Sequence, residues 1–326
     1  MKTVRQWAAI LAVAIAFTAV DLTLYAVFTR RYIDRQSEEM KGKSVEISAY
    51  LPFEAGSRIV HTVSEDTLTG DLPVLDGAAA FFPVFSAFAE AWYPADSVFF
   101  NGSDFGPDSA LRYSNTRGAY RAVVDGTVDM IFCVGPSEEQ LAYAGEKGVE
   151  LTFVPIGREA FVFLVSAENP VDDLTVEQIK GLFSGAYRSW AEVGGDDTGI
   201  DALQRNAGSG SQTFMLSFME GTPMKRSLWG ALSGRAVGFS FRYYVEGIVG
   251  NGSVKMLSLN GAAPTVENIA SGAYPIVSPI YAVYDASNDN PNVERLLSLI
   301  LSETGQRIIR ESGYVPISDC QTENSR

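Results

Sequence analysis

The sequence predicts an α/β protein with more than one hydrophobic core, and three observations lead to this prediction. Apolar, strand-like runs alternate with helical patterns, and no repeat of fixed period occurs. At 326 residues the chain exceeds the size at which single cores usually divide. Segments rich in glycine or hydroxyl residues begin helices that follow strand-like runs. In open α/β sheets such segments meet at the carboxyl ends of strands, where ligands bind.

The composition narrows the possible functions. A hydrophobic content of 46% with 20% charged residues is typical of a globular protein. The net charge of −14, with no cluster of lysine and arginine, argues against a nucleic-acid partner. The single histidine, His61, and the scattered carboxylates show no metal-ligand spacing, so we expect no metal and no cofactor. Cys133 and Cys320 are too few for a disulfide framework, and a bridge between them stays open.

An apolar run at residues 7–28 is broken by one acidic residue, Asp21. It is long enough to span a bilayer as a helix. A cleavable signal peptide is the competing interpretation. We favour an uncleaved anchor over residues 1–29, followed by a charged tether over residues 30–49. In both cases we expect the body of the protein on the extracytoplasmic side of the cell membrane.

Two helix starts in the first half of the body leave backbone amides accessible. Residues 76–83 (DGAAAFFP) predict a turn into a helix that buries one face, and their small side chains expose the N–H groups. Residues 115–118 (NTRG) precede a short helix at residues 119–124, for which Asn115 or Thr116 would serve as N-cap. Each start is unremarkable by itself. Their recurrence after strand-like sequence indicates a ligand site.

The rest of the body continues the alternation. Residues 136–148 predict a surface helix capped by Ser137. Residues 151–155 and 160–165 predict two strands, the second of which is a crossing point into another domain. Residues 274–284 predict the return crossing, and residues 293–310 predict a final amphipathic helix.

Residues 205–213 (RNAGSGSQT) are the centre of the predicted site. Their glycines allow the backbone to turn its N–H groups in one direction, just before an apolar helical run. A helix start carries partial positive charge and attracts anions. The guanidinium of Arg205 matches two oxyanion oxygens at once. The alternative is an ordinary Ser/Gly loop that only caps a helix.

The order of these motifs resembles the phosphate-binding proteins of ABC transporters, a branch of the type II periplasmic binding proteins, and is closest to their membrane-tethered Gram-positive versions. The passages LPVLDGAAAFFPVFSAF, PIGREAFVFLVSAENPVDDLTVEQIKGLFSGAYRSWAEVGG and LQRNAGSGSQT carry the resemblance. It implies two lobes, each a mostly parallel sheet flanked by helices. Lobe 1 would comprise residues 50–157 plus 280–318 and lobe 2 residues 158–279, with a tail at residues 319–326.

The resemblance also implies a phosphate site between the lobes, built from helix-start amides, an arginine and hydroxyls. By motif, Arg205 matches the clamping arginine, and the loop at residues 78–80 contributes only N–H groups. Thr116 and Arg117 fall at the second helix start, with Arg117 as a possible second cation. The implied ligand-binding set is Ala79, Ala80, Thr116, Arg117, Arg205, Ser209, Gly210 and Ser211.

Two departures from the family pattern affect the identity of the anion. Residues 78–80 lack the usual hydroxyl side chain, and Val134-Gly135 occupies the place of an aspartate that accepts the proton of hydrogen phosphate. Such a carboxylate repels fully deprotonated oxyanions such as sulfate. The expected anion is therefore phosphate or a related oxyanion.

The sequence thus predicts a monomeric, extracytoplasmic solute-binding protein that delivers an oxyanion to an ABC permease and performs no chemistry. The alternative is a sensor or scaffold that keeps the fold with a lost or altered ligand. A hydrolase using Ser209 or Ser211 is disfavoured, because no base is placed to activate a serine.

Overall fold

The computed structural model describes residues 46–225, 235–249 and 252–317, without the side chains of residues 247–249. The predicted anchor, most of the tether, the predicted tail and Cys320 lie outside these residues. Among the described residues, no helix combines the length and the apolar character needed to cross a membrane.

The body is built on an eight-stranded sheet in which six strands follow the order β1-β2-β9-β3-β6-β5, while β7 and β10 both pair with β3. A separate pair consists of β4 and β8. The strands of the described residues are β1 (Leu75–Gly77), β2 (Met130–Cys133), β3 (Leu151–Ser166), β4 (Asp173–Leu174), β5 (Asp201–Ala202), β6 (Ala236–Phe241), β7 (Val254–Met256), β8 (Ser258–Leu259), β9 (Val277–Asp285) and β10 (Val315–Pro316).

The prediction of mostly parallel sheets is wrong, because the strand pairings are mixed. β1 and β2, β4 and β8, and β5 and β6 pair in parallel. All pairings of β3 are antiparallel, and so is the pairing of β2 with β9. The two long strands cross the sheet in opposite directions and separate its parallel pairs. Strand direction therefore changes wherever β3 or β9 meets a neighbour.

Helices flank the sheet, as an α/β fold requires. The first helix ends at Trp92 and is more deeply buried than predicted: every residue except Glu90 is buried, whereas the sequence predicted one buried face. The predicted final helix is two helices, because Ser302 has an extended backbone and serves as the C-cap of one and the N-cap of the next. The α-helices of the described residues are α1 (Phe82–Trp92), α2 (Asn115–Val124), α3 (Glu138–Lys147), α4 (Val176–Ser184), α5 (Gly210–Phe218), α6 (Val266–Ala270), α7 (Pro291–Leu301) and α8 (Glu303–Glu311).

β3 is one strand of 16 residues, whereas the sequence predicted two strands with a break between them. Its register against β9 shifts between Pro155 and Gly157, which is a β-bulge. The first part of β3 pairs with β9, and the part from Phe161 to Val165 pairs with β6. The proline, the glycine and the polar residues after them resemble a loop in sequence, but the bulge accommodates them within the strand.

A buried polar cluster lies at the middle of β3. Glu159 has no exposed surface, and its carboxylate accepts hydrogen bonds from the N–H groups of Ala160 (2.8 Å) and Tyr243 (3.2 Å). The Arg242 Nε lies 3.3 Å from Glu159 Oε1, and its Nη1 lies 2.5 Å from Glu246 Oε2. Burial raises the pKa of Glu159 to about 7, although Arg242 and the two amides oppose this.

The C-terminal segment packs back against this cluster. β10 pairs with the middle of β3. The guanidinium of Arg242 donates to the carbonyl of Gly313, and the hydroxyl of Tyr314 donates to the carbonyl of Ala80. The last described strand therefore connects β3 to the turn that precedes α1.

The core beneath the sheet is aromatic. The ring of Phe161 contacts the rings of Phe163, Phe214, Phe239 and Phe241 at centroid distances of 4.6–5.7 Å. All these rings except that of Phe214 are buried. They fix the start of α5 against β3 and β6.

Cys133 is a fully buried free thiol whose pKa is raised above its usual value by burial. This matches the small core residue that its apolar surroundings indicate.

Candidate anion-binding site

The loop at residues 205–209 enters α5 through a tight turn. Gly208 has φ of +79°, a left-handed conformation that glycine adopts without strain. Ser209 is the N-cap, and its hydroxyl accepts a hydrogen bond from the N–H of Gln212 (3.2 Å). The side chain of Gln212 accepts the N–H of Arg205 (2.7 Å). The loop is therefore held on both sides of its glycine, and its geometry follows from local contacts.

The start of α5 touches the start of α2. A Cβ placed on Gly210 would lie 3.1 Å from Thr116 Oγ1 and 3.0 Å from Val134 Cγ2. Thr116, Gly210 and Ser211 are all buried. The structure thus brings together two turns separated by more than ninety positions in sequence. The small size of residue 210 is what allows this approach.

The guanidinium of Arg205 is partly buried and has no carboxylate within 4 Å among the described residues. Its CZ lies 5.9 Å from the ring centroid of Tyr244, and its Nε is buried without a hydrogen-bond partner. Burial lowers the pKa of Arg205, while Tyr244 opposes this shift. A guanidinium remains charged even so. A desolvated cation without a counter-charge is costly, and a bound anion would relieve that cost.

Helix capping distinguishes the starts of α1 and α2 from the other helices. Neither start is capped by a side chain. Every other α-helix of the described residues begins with an N-cap side chain that accepts a backbone N–H; these N-caps are Ser137, Thr175, Ser209, Thr265, Asn290 and Ser302. The first amides of a helix need a partner. At α2 the side chain of Thr116, in the first turn of the helix, lies beside Gly210.

The turn before α1 is a 3₁₀ turn, Ala79–Phe81, whose own first residue is also uncapped. It contacts the helical turn Tyr244–Val249, which carries the tyrosine beside Arg205. Ala80 is buried and Ala79 is partly buried. The predicted residues of this turn thus adjoin the same helical turn as Arg205 does.

Arg117 is the exception among the predicted ligands. Its side chain is 66% exposed, and its Nη2 lies 3.0 Å from Oε1 of Glu139, which is exposed as well. Its aliphatic stem passes Gly208, so a Cβ on that glycine would lie 3.2 Å from Arg117 Cδ. The expectation of a second cation in the site is therefore not met in this structure, because a neighbouring surface carboxylate holds the guanidinium in solvent.

Several residues around the site were not predicted from the sequence. The N-cap of α2 is Ser114, whereas the sequence predicted Asn115 or Thr116. The hydroxyl of Ser114 donates to the carboxylate of Asp76. Tyr244 and Gln212 contact or position Arg205. Asp-Gly after the apolar run indicated only a turn, and no spacing rule links residues 76 and 114. Gln212 follows the Ser209 cap by three positions, and that spacing is a signal that could have been used.

The arrangement suits a small anion. It offers uncapped amides, buried hydroxyls and a guanidinium within one region, all of which are donors. Such donors bind oxyanions through charge-assisted hydrogen bonds, which contribute about 1.5–3 kcal/mol each. No group of three or more His, Cys, Asp or Glu side chains that could hold a metal occurs in the part of the chain that the structure describes.

Comparison with known proteins agrees with this fold. The PBP superfamily domain matches residues 74–304. The chain belongs to this family. Among curated relatives, the phosphate-binding protein PstS of Borreliella burgdorferi is 24% identical over 239 residues, which cover 64% of this chain and 84% of the relative. PstS of Bacillus subtilis is 27% identical over 194 residues, covering 54% and 63% of the two chains.

A crystal structure from Clostridium perfringens with bound phosphate has the same fold. It superposes with a TM-score of 0.58 at 23% identity, covering 76% of this chain and 100% of the other. The family match and the PstS relatives confirm the resemblance to the phosphate-binding proteins of ABC transporters.

Proposed function

We propose that this chain is an extracytoplasmic solute-binding protein that captures inorganic phosphate, or a related oxyanion, for an ABC importer. One observation carries the proposal. The uncapped start of α2 contacts Gly210 at the end of the loop that begins with Arg205, a partly buried cation with no carboxylate partner among the described residues. The ligand set consists of amides near Ala79, Ala80, Thr116 and Gly210, the hydroxyls of Thr116, Ser209 and Ser211, and the guanidinium of Arg205.

The family supports phosphate as the anion. The relatives from Borreliella burgdorferi and Bacillus subtilis are phosphate-binding proteins by name. We extend that ligand to this chain on the basis of the donors described above. Val134 packs beside Gly210 at the position where a proton-accepting aspartate is expected, so the site has no carboxylate there to exclude sulfate. Discrimination between phosphate and sulfate is therefore expected to be weaker than with such an aspartate.

The proposed site lies between two lobes, residues 50–157 plus 280–318 and residues 158–279. β3 and β9 are the elements that pass between them, and they would act as the hinge. Donors from both lobes would contact the anion, so the ligand would stabilise the closed form. A closed, monomeric form is then the species presented to the permease.

We also propose that residues 1–29 form an uncleaved membrane anchor and that residues 30–49 form a tether. The apolar run at residues 7–28 supports this proposal. In this arrangement the site stays close to the permease, on the extracytoplasmic side of the membrane.

Isothermal titration of the full-length protein with phosphate and with sulfate tests the function. After co-purifying anions are removed by dialysis, phosphate should bind and Arg205→Ala should abolish binding. Arg188→Ala, which removes an exposed guanidinium, is the matched control and should bind as the wild type does. Absence of heat with both anions, together with a folded protein, would reject the transport function.

A sensor or scaffold function with an altered ligand is the second candidate. The absence of hydroxyl side chains at residues 78–80 and the pairing of Arg117 with Glu139 favour it. In that case the same titration gives no heat with phosphate, and no permease genes lie beside the gene for this protein.

A further inference from the structure

Asp76 is a buried carboxylate at the end of β1 that the proposed ligand set does not include. It is 1% exposed. Its Oδ1 accepts the N–H groups of Gly77 (2.7 Å) and Ser114 (2.9 Å), and its Oδ2 accepts the hydroxyl of Ser114. Burial raises the pKa of Asp76, and these three hydrogen bonds together with the charge of Arg112 oppose that shift. Most of its hydrogen-bonding capacity is thus directed at one residue, Ser114.

Ser114 occupies the N-cap position of α2 without capping it. A serine at this position ordinarily accepts the N–H of the second or third helical residue, which here would be Thr116 or Arg117. No such bond forms at α2: the hydroxyl of Ser114 donates to Asp76, and the backbone of Ser114 (φ −128°, ψ 10°) is not the extended one that the capping serines have. The N-cap serines of α3, α5 and α8 all accept such a bond. The residue type suited to capping is present at α2, but its side chain is engaged elsewhere.

Two backbone features hold Ser114 in this position. Asn115 has φ of +62°, a left-handed conformation that asparagine tolerates better than most residues do. Gly118 lies under Ser114, where a Cβ would be 2.6 Å from the Ser114 Cβ and 2.7 Å from its Oγ. A larger residue at position 118 would push Ser114 away from Asp76.

We propose that Asp76 is a positioning residue that holds Ser114 away from the first amides of α2, so that the bound oxyanion caps this helix instead of the serine. This inference rests on the proposed function, because it assigns those amides to the anion. Without Asp76, Ser114 could adopt the extended backbone of a capping serine and turn its hydroxyl onto the amides, where it would compete with the ligand.

The size of the effect follows from the strength of a helix cap. A serine cap stabilises a helix by about 1 kcal/mol, which corresponds to an equilibrium constant of about 5 in favour of the capped form. If the capped form cannot bind the anion, the apparent affinity falls by about the same factor. Releasing Ser114 should therefore weaken phosphate binding about fivefold, beyond any effect of disturbing the strand end.

A double-mutant cycle tests this inference by phosphate titration of the wild type, Asp76→Ala, Ser114→Ala and the double variant. Ser114→Ala should bind as the wild type does, since alanine cannot cap. Asp76→Ala should bind at least about fivefold more weakly. The double variant should bind about fivefold more tightly than Asp76→Ala, because it has no hydroxyl to compete with the anion. If Asp76 had only a structural role, the double variant would bind as weakly as Asp76→Ala. Equal affinities of Asp76→Ala and the double variant would overturn the inference, and so would a loss with Ser114→Ala alone.

Gly118→Ala provides a second route that leaves the carboxylate intact, in case Asp76→Ala does not fold. It should weaken phosphate binding about fivefold by displacing Ser114, and Ser114→Gly in the same chain should restore the affinity. Unchanged affinity of Gly118→Ala would contradict the inference. If the wild type itself does not bind phosphate, the proposed function fails. If the wild type binds and these variants show no coupling, only the role of Asp76 is rejected.

Discussion

Glu159 combines complete burial with a charge partner, so its protonation is linked to folding. Its pKa is raised from 4.5 to about 7, because burial outweighs the attraction of Arg242. In the unfolded chain the carboxyl loses its proton near the usual value. Between these two pKa values the folded state binds more protons than the unfolded state does. The contribution of Glu159 to the free energy of unfolding is therefore fully present below pH 4.5 and is lost as the pH rises towards 7.

This linkage predicts a pH-dependent difference between the wild type and Glu159→Gln, which has no proton to release. The free energy of unfolding of the wild type minus that of the variant should fall by about 2.5 kcal/mol between about pH 5 and pH 8. Urea denaturation of both proteins at the two pH values measures this difference. A difference that stays constant or grows with pH would show that Glu159 is ionised throughout.

At the residue scale, the sequence indicated the donors of the central loop but not their partners. Arg205 and the Ser-Gly-Ser run could be assigned because the motif is contiguous and opens a helix. The contact of Asp76 with Ser114 joins positions 38 residues apart, and no periodicity reports it. The direction of Arg117 depends on Glu139, a residue of another helix, and so could not be deduced from the motif around Arg117.

At the element scale, the close contact of the α5 start with α2 predicts the effect of Gly210→Ala. The added Cβ would meet side-chain atoms of Thr116 and Val134 at 3.0–3.1 Å, so these side chains must shift by a few tenths of an ångström and disturb the hydroxyl of Thr116. Phosphate affinity should fall about tenfold, which is about 1.4 kcal/mol.

Gly145→Ala is the matched control for this substitution. It lies in α3 with open space around the new Cβ, and alanine favours the helix there. Titration of the two variants should show weakened binding only at position 210. If Gly210→Ala bound phosphate as tightly as the wild type does, the contact between the helices would not shape the site.

The sequence predicted a helix or strand well where the contacts that define it join residues close together in the chain. The Ser137 cap and its Gln140 partner are three residues apart, and the structure contains both bonds of the capping box. The sequence predicts two strands in place of β3, because Pro155 and the residues after it resemble a loop. Its continuity depends on β9, more than a hundred residues later in the chain, and a single sequence does not reveal that pairing.

At the scale of the whole molecule, ligand binding should appear as thermal stability. An anion that binds only the folded state stabilises it by about 2.7 kcal/mol at a hundred times its dissociation constant. For a domain of this size, that corresponds to a rise in Tm of roughly 5–10 °C. Scanning fluorimetry with phosphate, with Arg205→Ala as the control, measures the shift. A rise of equal size in Arg205→Ala would indicate a general salt effect.

The sequence predicted the α/β architecture of the whole molecule but not its strand directions. Alternation of strands and helices implies layers, yet it does not fix whether neighbouring strands are parallel. Here β9 lies between β2 and β3 and runs antiparallel to both. Such an arrangement depends on which distant segments pair, and neither the alternation nor the family resemblance predicted it.

The position of β9 and β10 has a consequence for how the chain acquires its structure. β2 and β3 are made early in synthesis, but the strand between them and the tyrosine that donates to Ala80 come from residues 277–316. Pairings of such wide sequence separation form slowly, because a long loop must close first. A ribosome-bound chain that does not yet include residues 277–285 therefore has an open gap between β2 and β3, and the native topology is reached only after residues 277–316 have been made.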